Sequence, residues 1–363
     1  IVSAQRVEAA MVAIDTQLAN GAQGGIGAGF IDAAGALQQS ASVANADLSL
    51  RSLSGQLHAA SSALTFDTID AGRRALDARI DRLNGTSLAA GGWYRDLASS
   101  GTLAQAGHDS IAMDAQGQMI GNDWRVADGN AVVGVAMSQV RQAGWLGALG
   151  DRSRGEQREA QLYAAGWHGD WYGQAQLALG GFDREIQRNL LLGSRGDAVS
   201  SNLSGNYQSA FAEIGHRFDL AGVSLTPYAG SQYARIANNG FQEQGQTGFG
   251  LRADAWDSSR WQGFAGMRAE QGWQVGNVSL RADARAEWQQ TLASHGEMFQ
   301  ASFTGLSQWA PLQGIGLAEH TLTFGAGLTA VFGDNALLRL DAARRTSPLG
   351  ANNTISLQGL YRF

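Results

Sequence analysis

The 363-residue chain has no cysteine and no lysine, only three prolines, and no run of about eighteen apolar residues. Without cysteine there is no disulfide scaffold, no thiolate zinc site and no cysteine nucleophile. The absence also suits passage through an oxidising compartment, where a premature disulfide would trap an unfolded chain. Without lysine, all 26 basic side chains are arginine and a Ser–Lys dyad is excluded. The lack of a long apolar run excludes a transmembrane helix. A net charge of −6 leaves no basic stripe for nucleic acid. The six histidines (His58, His108, His168, His216, His295, His320) are scattered, with no i, i+4 pair for a metal, and no G-x-S-x-G elbow is present. The glycine run Gly24–Gly29 follows no strand, so it is not read as a phosphate loop. No residue set calls for a cofactor.

What the chain does have is 49 glycines and a strict two-residue alternation over most of its length. Leu322, Phe324, Ala326, Leu328, Ala330 and Phe332 share one parity, while Thr321, Thr323, Gly325, Gly327 and Thr329 take the other. Successive strand side chains point to opposite faces, so one face is apolar and the other polar or bare. On Val278–Trp288 the polar parity is a charge ladder, Arg281, Asp283, Arg285 and Glu287. About twelve such segments are expected: Leu88–Ser99, Ile111–Val126, Ala131–Ala143, Glu156–His168, Trp171–Ile186, Leu203–Phe218, Val223–Ile236, Asp257–Gln274, Val278–Leu292, Glu319–Phe332, Ala336–Arg345 and Thr354–Phe363. Most exceed the five or six residues usual in soluble strands.

The connections alternate. Tight turns are expected at Ala127–Asn130, Gly169-Asp170, Asp219–Gly222, Gly276-Asn277 and Gly333–Asn335. Long polar loops are expected at Gly144–Gly155, Gln187–Asn202, Ala237–Trp256, Ala293–Ala318 and Thr346–Asn353. One rim of turns and one of loops is how outer-membrane barrels are built, with turns toward the periplasm, loops outside and a polar lumen. A mean hydropathy of −0.18 fits that reading, because every second residue faces the lumen. Trp171, Trp273, Trp288, Phe332 and Phe363 stand at strand ends, as interfacial aromatic girdles do. The expected fold is therefore an all-β, closed antiparallel 12-stranded transmembrane barrel.

Composition changes near residue 86, before which there is no tryptophan. Helices are expected over Ser3–Asn20, with Val7, Met11, Ile14 and Leu18 on one face, then over Phe30–Ser40 and Leu57–Leu64. A last helix, Thr68–Leu83, carries the i, i+4 pairs Asp70–Arg74 and Arg73–Asp77 and stops at Asn84-Gly85. Its charges, Asp70, Arg73, Arg74, Asp77, Arg79, Asp81 and Arg82, suit a wet lumen. The expected domains are 1–66, a partly helical junction; 67–86, a pore-spanning linker helix; and 87–363, the barrel. Ile1 is preceded by neither Met nor a leader, which reads as a fragment or processed product.

The stretch Leu53-Ser54-Gly55-Gln56-Leu57-His58-Ala59-Ala60, followed by Arg73–Arg79, resembles the pre-barrel segment of monomeric type V autotransporters of Gram-negative bacteria, and among these the ones that carry subtilisin-like protease passengers. Leu225–Tyr228 with Phe241–Glu243, and Asp341 to Leu360–Phe363, resemble that family's mid-barrel and closing strands. The family often has Gly five residues before its terminal Phe; here Gln358 holds that place, next to Gly359. The resemblance implies a monomeric translocator that exports its own N-terminal passenger without enzymatic chemistry, and a helix that threads the barrel from outside to periplasm and plugs it afterwards. It implies that Leu357, Gly359, Tyr361 and Phe363 form the signal read by the barrel-assembly machinery, with periplasmic chaperones and lipopolysaccharide as further partners. Asn84 is the candidate for self-cleavage within the pore, set against the plainer reading of a helix stop. Two other functions fit an outer-membrane barrel: a phospholipase- or protease-like enzyme, whose best pair, Ser209 and His216, differ in parity, and a porin or adhesin, which does not need eighty-odd residues ahead of its first strand.

Overall fold

The computed structural model describes residues 28–83, 90–147, 149–315, 317–333 and 336–361, together with Glu8 and Val12. The helix expected over Ser3–Asn20, apart from those two residues, lies outside the described residues, as do Asn84, Gly85, Leu88 and Phe363.

Twelve long strands close a single antiparallel barrel. They are β1 (Gly92–Leu103), β2 (Ile111–Val126), β3 (Ala131–Leu146), β4 (Asp151–His168), β5 (Trp171–Leu192), β6 (Arg195–His216), β7 (Val223–Asn238), β8 (Trp256–Val275), β9 (Val278–His295), β10 (His320–Phe332), β11 (Ala336–Ser347) and β12 (Gly350–Tyr361). Each pairs with its sequence neighbours, and β1 pairs with β12 to close the circle. The tight rim falls where Asp-Gly and Gly-Asn chemistry places it, with positive φ at Asp128, Gly129, Gly169, Gly222 and Gly276.

The opposite rim corrects the sequence reading. Leu192↔Arg195 and Ser347↔Gly350 close tight hairpins where long loops were expected, and β4 begins at Asp151 rather than Glu156. Polar strand residues beyond the membrane alternate more weakly, so they read as loop although the ladder continues. The segments after β7 and β9 are long connections. They carry short strands, Phe241–Gln242, Leu251–Ala253, Met298–Phe303 and Ala310–Gln313, which form a second, four-stranded sheet over the mouth.

The outward parity is apolar between two aromatic levels. Trp124, Trp171, Trp273 and Phe332 lie next to the turn rim; Tyr233, Trp261 and Trp288 lie about ten residues higher. At ~3.3 Å per residue and a tilt of roughly 40°, that separation is about 25 Å, the height of an outer-membrane apolar band. The inward parity carries large aromatic rings laid over glycines of the neighbouring strand: Tyr163 over Gly134, Tyr207 over Gly180, Tyr228 over Gly266 and Phe264 over Gly230. A Cβ at Gly180 would fall inside the Tyr207 ring and against the Arg158 carbonyl, whereas one at Gly173 would meet only an ordinary 3.8 Å contact. Gly180→Ala is therefore expected to destabilise the barrel by about 1–3 kcal/mol and Gly173→Ala to leave it unchanged. The midpoint of heat-induced loss of compact gel migration measures both, and equal midpoints for the two variants would refute the packing argument.

Four helices occupy the inside of the barrel and its mouth: α1 (Ala28–Gln38), α2 (Val43–Ser52), α3 (Gln56–Ala59) and α4 (Ser61–Leu83). Ser42 caps α2 by accepting from Asn45 N at 3.2 Å. Helix α2 has no clear apolar stripe in the sequence and was not expected. The long helix begins at Ser61, earlier than the expected Thr68. Phe30, Leu37, Leu53 and Leu57 pack against Phe249, Leu251, Phe303 and Leu312 of the extra sheet and its loops, forming one apolar cluster inside the loop rim. The mouth is thus closed by an apolar core, where only a polar lumen was expected. Phe30 stacks on Phe249 at 4.3 Å, and each such large side chain contributes ~1.5–3 kcal/mol by burial.

Candidate functional site

The lumen is filled by α4, which runs from the loop rim to the turn rim. At its start, Arg184 Nη1 donates to Ser61 O at 3.0 Å and the Ser62 and Ser258 hydroxyls are hydrogen-bonded. At its end, Arg125 Nη2 donates to Leu83 O at 3.0 Å. Between these ends the helix is held by ion pairs to the wall.

Asp70 is taken by Arg260 and by Arg345 Nη1 at 3.1 Å rather than by Arg74, and Arg345 also reaches Asp67. The second expected helical pair does form, with Arg73 Nη1 donating to Asp77 at 2.9 Å and Arg73 Nη2 to Glu287 at 3.0 Å. The Arg73 guanidinium lies over the Phe211 and Phe264 rings, 4.9 and 5.1 Å from their centroids. Asp77 also accepts from Gln176 at 2.8 Å and from Arg285. Arg79 grips Asp123 with two parallel bonds of 2.8 and 2.9 Å, a bidentate fork. Asp81 faces Arg268 at 3.1 Å. Arg82 is buried near the helix end, where a cation complements the carbonyl dipoles. Arg74 lines a cavity left between α4 and the wall on the side of β1 and β12.

The structure therefore pairs five of the seven helix charges with the wall in three groups, Asp70 with Arg260 and Arg345, Arg73, Asp77 and Asp81 around Glu287, Arg285 and Arg268, and Arg79 with Asp123, and places Arg74 beside the cavity. It puts the charge ladder on the inner wall: Arg281 pairs with Glu270, Asp283 with Arg339 at 2.6 Å, and Arg285 with Glu287. Sequence reasoning missed the wall partners Arg260, Arg268, Arg345, Asp123 and Glu213. All have the inward parity of their strands, which is the signal that finds them. Around them, Tyr172 and Tyr228 donate to Glu213 and Glu287 at 2.5 and 2.8 Å, and Tyr163 donates to Asp123 at 3.0 Å. The Ser209–His216 pair is not assembled: on β6, Ser209 shares the inward parity of buried Tyr207 and Phe211, while His216 has the outward parity and meets Trp171 edge-on and Phe218 at a tilt at the turn rim. Leu357 and Gly359 lie on the outward face of β12, with Leu357 exposed.

A second buried charge cluster lies above the membrane, in the apolar mouth. Arg188 and Glu243 form two parallel bonds of 2.6 and 2.7 Å, and Arg188 Nη1 donates to Ser52 O at 2.9 Å. His58 stacks on Phe241, is hydrogen-bonded through Nε2 to Ser201 Oγ at 2.9 Å, and lies 3.5 Å from Glu243. Burial would raise Glu243, but the Arg188 guanidinium outweighs it and holds the carboxyl below its usual range. Burial drives His58 down to about 4, against an upward pull from Glu243 and with a further downward push from Arg188.

This shift makes closure of the mouth depend on pH. A histidine that is harder to protonate when folded than when released (about 6.5) binds more protons in the released state. Stability is therefore complete above about pH 6.5 and is lost as pH falls toward about 4. The total is ~3 kcal/mol. Proteolysis of residues 28–60 is expected to accelerate between pH 6.5 and 4.5 with the barrel intact, and His58→Gln is expected to flatten the response. An undiminished acid response in that variant would remove His58 from the account.

Comparison with known proteins agrees with the geometry. Residues 89–343 match the Autotransporter beta-domain family. The chain is 23% identical over 328 residues to an extracellular serine protease of Serratia marcescens, covering 86% of this chain and 30% of that protein. It therefore spans about a third of the length of that relative. In fold it is similar to the translocator domain of the autotransporter NalP from Neisseria meningitidis (TM-score 0.66, 18% identity, 82% of this chain and 97% of that one). It is also similar to the β-domain of the Bordetella autotransporter BrkA (TM-score 0.53, 16% identity, 76% and 100%).

Proposed function

This chain belongs to the autotransporter β-domain family and is an outer-membrane translocator for a passenger, and from that premise we propose how its parts share the work. The observation that carries the proposal is the direction of α4, from the loop rim to the turn rim with ion pairs along its length. The passenger joins the N-terminal side of α4, so it stands outside the cell. While the passenger leaves, the lumen holds extended chain; afterwards α4 remains as the plug, and Asp70, Arg73, Asp77, Arg79 and Asp81 fix its depth. The segment ahead of Ser61 forms the junction, α4 (Ser61–Leu83), which takes in most of the expected 67–86, is the linker helix, and the strands β1–β12 form the barrel. The junction's helices α1–α3 belong functionally to the mouth they close.

The passenger, on this reading, is a serine protease of the kind named in the Serratia relative, and catalysis belongs to it rather than to this chain. The barrel-assembly machinery reads Leu357, Gly359 and Tyr361 of the closing strand together with Phe363, and Asn84 is where passenger and barrel would separate if the chain cleaves itself. Periplasmic chaperones escort the unfolded chain, and the mature barrel stands as a monomer among outer-membrane lipids.

Because the chain has no cysteine, its orientation is open to a direct test. Val43 is 87% exposed on α2, and Asp128 lies in a turn of the opposite rim. Val43→Cys is expected to react with a membrane-impermeant maleimide on whole cells, and Asp128→Cys only after the outer membrane is permeabilised. The reverse pattern would overturn the direction of export.

A further inference from the structure

The outward faces of β3, β4 and β5 change character at one level. On β3, Val133, Val135 and Met137 face lipid, followed by Gln139 and Arg141; on β4, Leu162 and Ala160 are followed by Arg158, Glu156 and Arg154. The register sets Arg141 opposite Glu156. Arg158 engages Glu156 through Nε at 2.5 Å, and Arg141 approaches the other carboxylate oxygen through Nε at 3.9 Å. The Glu156 carboxylate thus holds Arg158 and lies near Arg141, and the two arginine side chains remain 75% and 82% exposed respectively. Arg154 adds a third cation one pleat higher on β4 and is also exposed. Glu156 offsets one of these three arginine charges. On β7 and β8 the comparable Arg235 is neutralised by Asp257 at 2.9 Å. On β5, Asp183 stands directly opposite Glu156 and Glu185 directly opposite Arg154.

Arginine forks fit phosphoryl groups with two parallel bonds. Basic groups next to an anionic membrane surface gain about 1 kcal/mol each. Directly below the forks, Met137, Leu162 and Leu177 offer an exposed apolar wall at acyl-chain depth. We propose that Arg141, Arg154 and Arg158 form a site for the phosphoryl groups of an outer-leaflet glycolipid of the lipid A class, whose acyl chains lie along Met137, Ala160 and Leu162. This rests on the outer-membrane orientation of the preceding section, since it requires the loop rim to face the outer leaflet. The bound lipid would seat one sector of the barrel at a defined height in the bilayer.

The test uses the whole chain, folded in detergent and checked for compact, heat-sensitive gel migration. Native mass spectrometry then counts retained diphosphoryl lipid A. Substituting all three arginines by Gln is expected to lower retention at least tenfold, while Arg235→Gln leaves it unchanged. Dephosphorylated lipid A is expected to bind the parent as weakly as diphosphoryl lipid A binds the triple variant, and millimolar inorganic phosphate is expected not to displace the bound lipid. Equal retention by the triple variant, equal binding of the dephosphorylated lipid, or full displacement by phosphate would each overturn the site. Failure of the orientation itself would show separately, as cysteine labelling of Val43→Cys only in permeabilised cells.

Discussion

A chain that begins at Asn84, and so lacks α1–α4, is expected to pass roughly ten times the ionic current of the complete chain in planar bilayers. A helix is about 10–12 Å across with its side chains, and a closed barrel of twelve strands tilted by roughly 40° has a backbone radius near ~11 Å. Once inward side chains such as Tyr228, Phe264 and Arg285 are counted, α4 takes up most of the remaining section. A chain that begins at Ser61 keeps α4 but loses the helices of the mouth. It is expected to stay nearly closed, which would assign the seal to α4. If the chain beginning at Asn84 conducted no better than the complete one, α4 would not be the plug. If the chain beginning at Ser61 were fully open, the mouth would be the seal.

Arg188→Ala is expected to release the mouth while leaving the barrel folded. Arg188 and Glu243 are 1% and 0% exposed, and the pair ties β5 to the extra sheet and to the end of α2. Removing one member strands a buried charge, at a cost of ~3–5 kcal/mol. Replacing both by apolar residues of similar volume, Arg188→Met with Glu243→Leu, is expected to recover most of that loss, because the desolvation of both charges disappears with their attraction. Hydrogen exchange of residues 28–60, read against that of β5, measures the effect. Equal protection of residues 28–60 in the parent and in Arg188→Ala would show that the ion pair does not hold the mouth.

The barrel could be read from the sequence because a membrane strand must alternate and a tight turn must use particular residues. Ile111–Val126 was placed to the residue, and Val278–Trp288 showed its inner face in four consecutive charges. The helix Thr68–Leu83 was legible for the same reason: no other place in such a protein suits a helix charged on several sides. The closed mouth was not legible. Phe241, Leu251, Phe299 and Leu312 lie in segments too short and too polar between their apolar residues to show a period, and they meet α1–α3 only through the barrel's closure. The partners of α4 were half visible. Arg260, Arg268 and Arg345 carry the inward parity of their strands, a signal that went unused, but which carboxylate each meets depends on the helix's depth, and no local pattern encodes depth. That is why Asp70 was paired with Arg74 along the helix, while the fold gives it two wall arginines.

The ladder between β1 and β12 runs from Leu103↔Gly350 down to Ala98↔Ile355, and among the described residues it goes no further, although β1 starts at Gly92 and β12 reaches Tyr361. Below it the two strands are joined by Arg95, whose Nη2 donates to Ser356 Oγ at 2.7 Å and lies 3.2 Å from Asp341. Every other neighbouring pair of barrel strands is zipped more fully. A hoop under tension parts at its clasp, and among the described residues the lower clasp is the Arg95 side chain rather than a row of amides. Pulled or heated, the cylinder would begin to unroll at its periplasmic edge between the first and last strands, and the two ends of the barrel sequence would be the first to come apart.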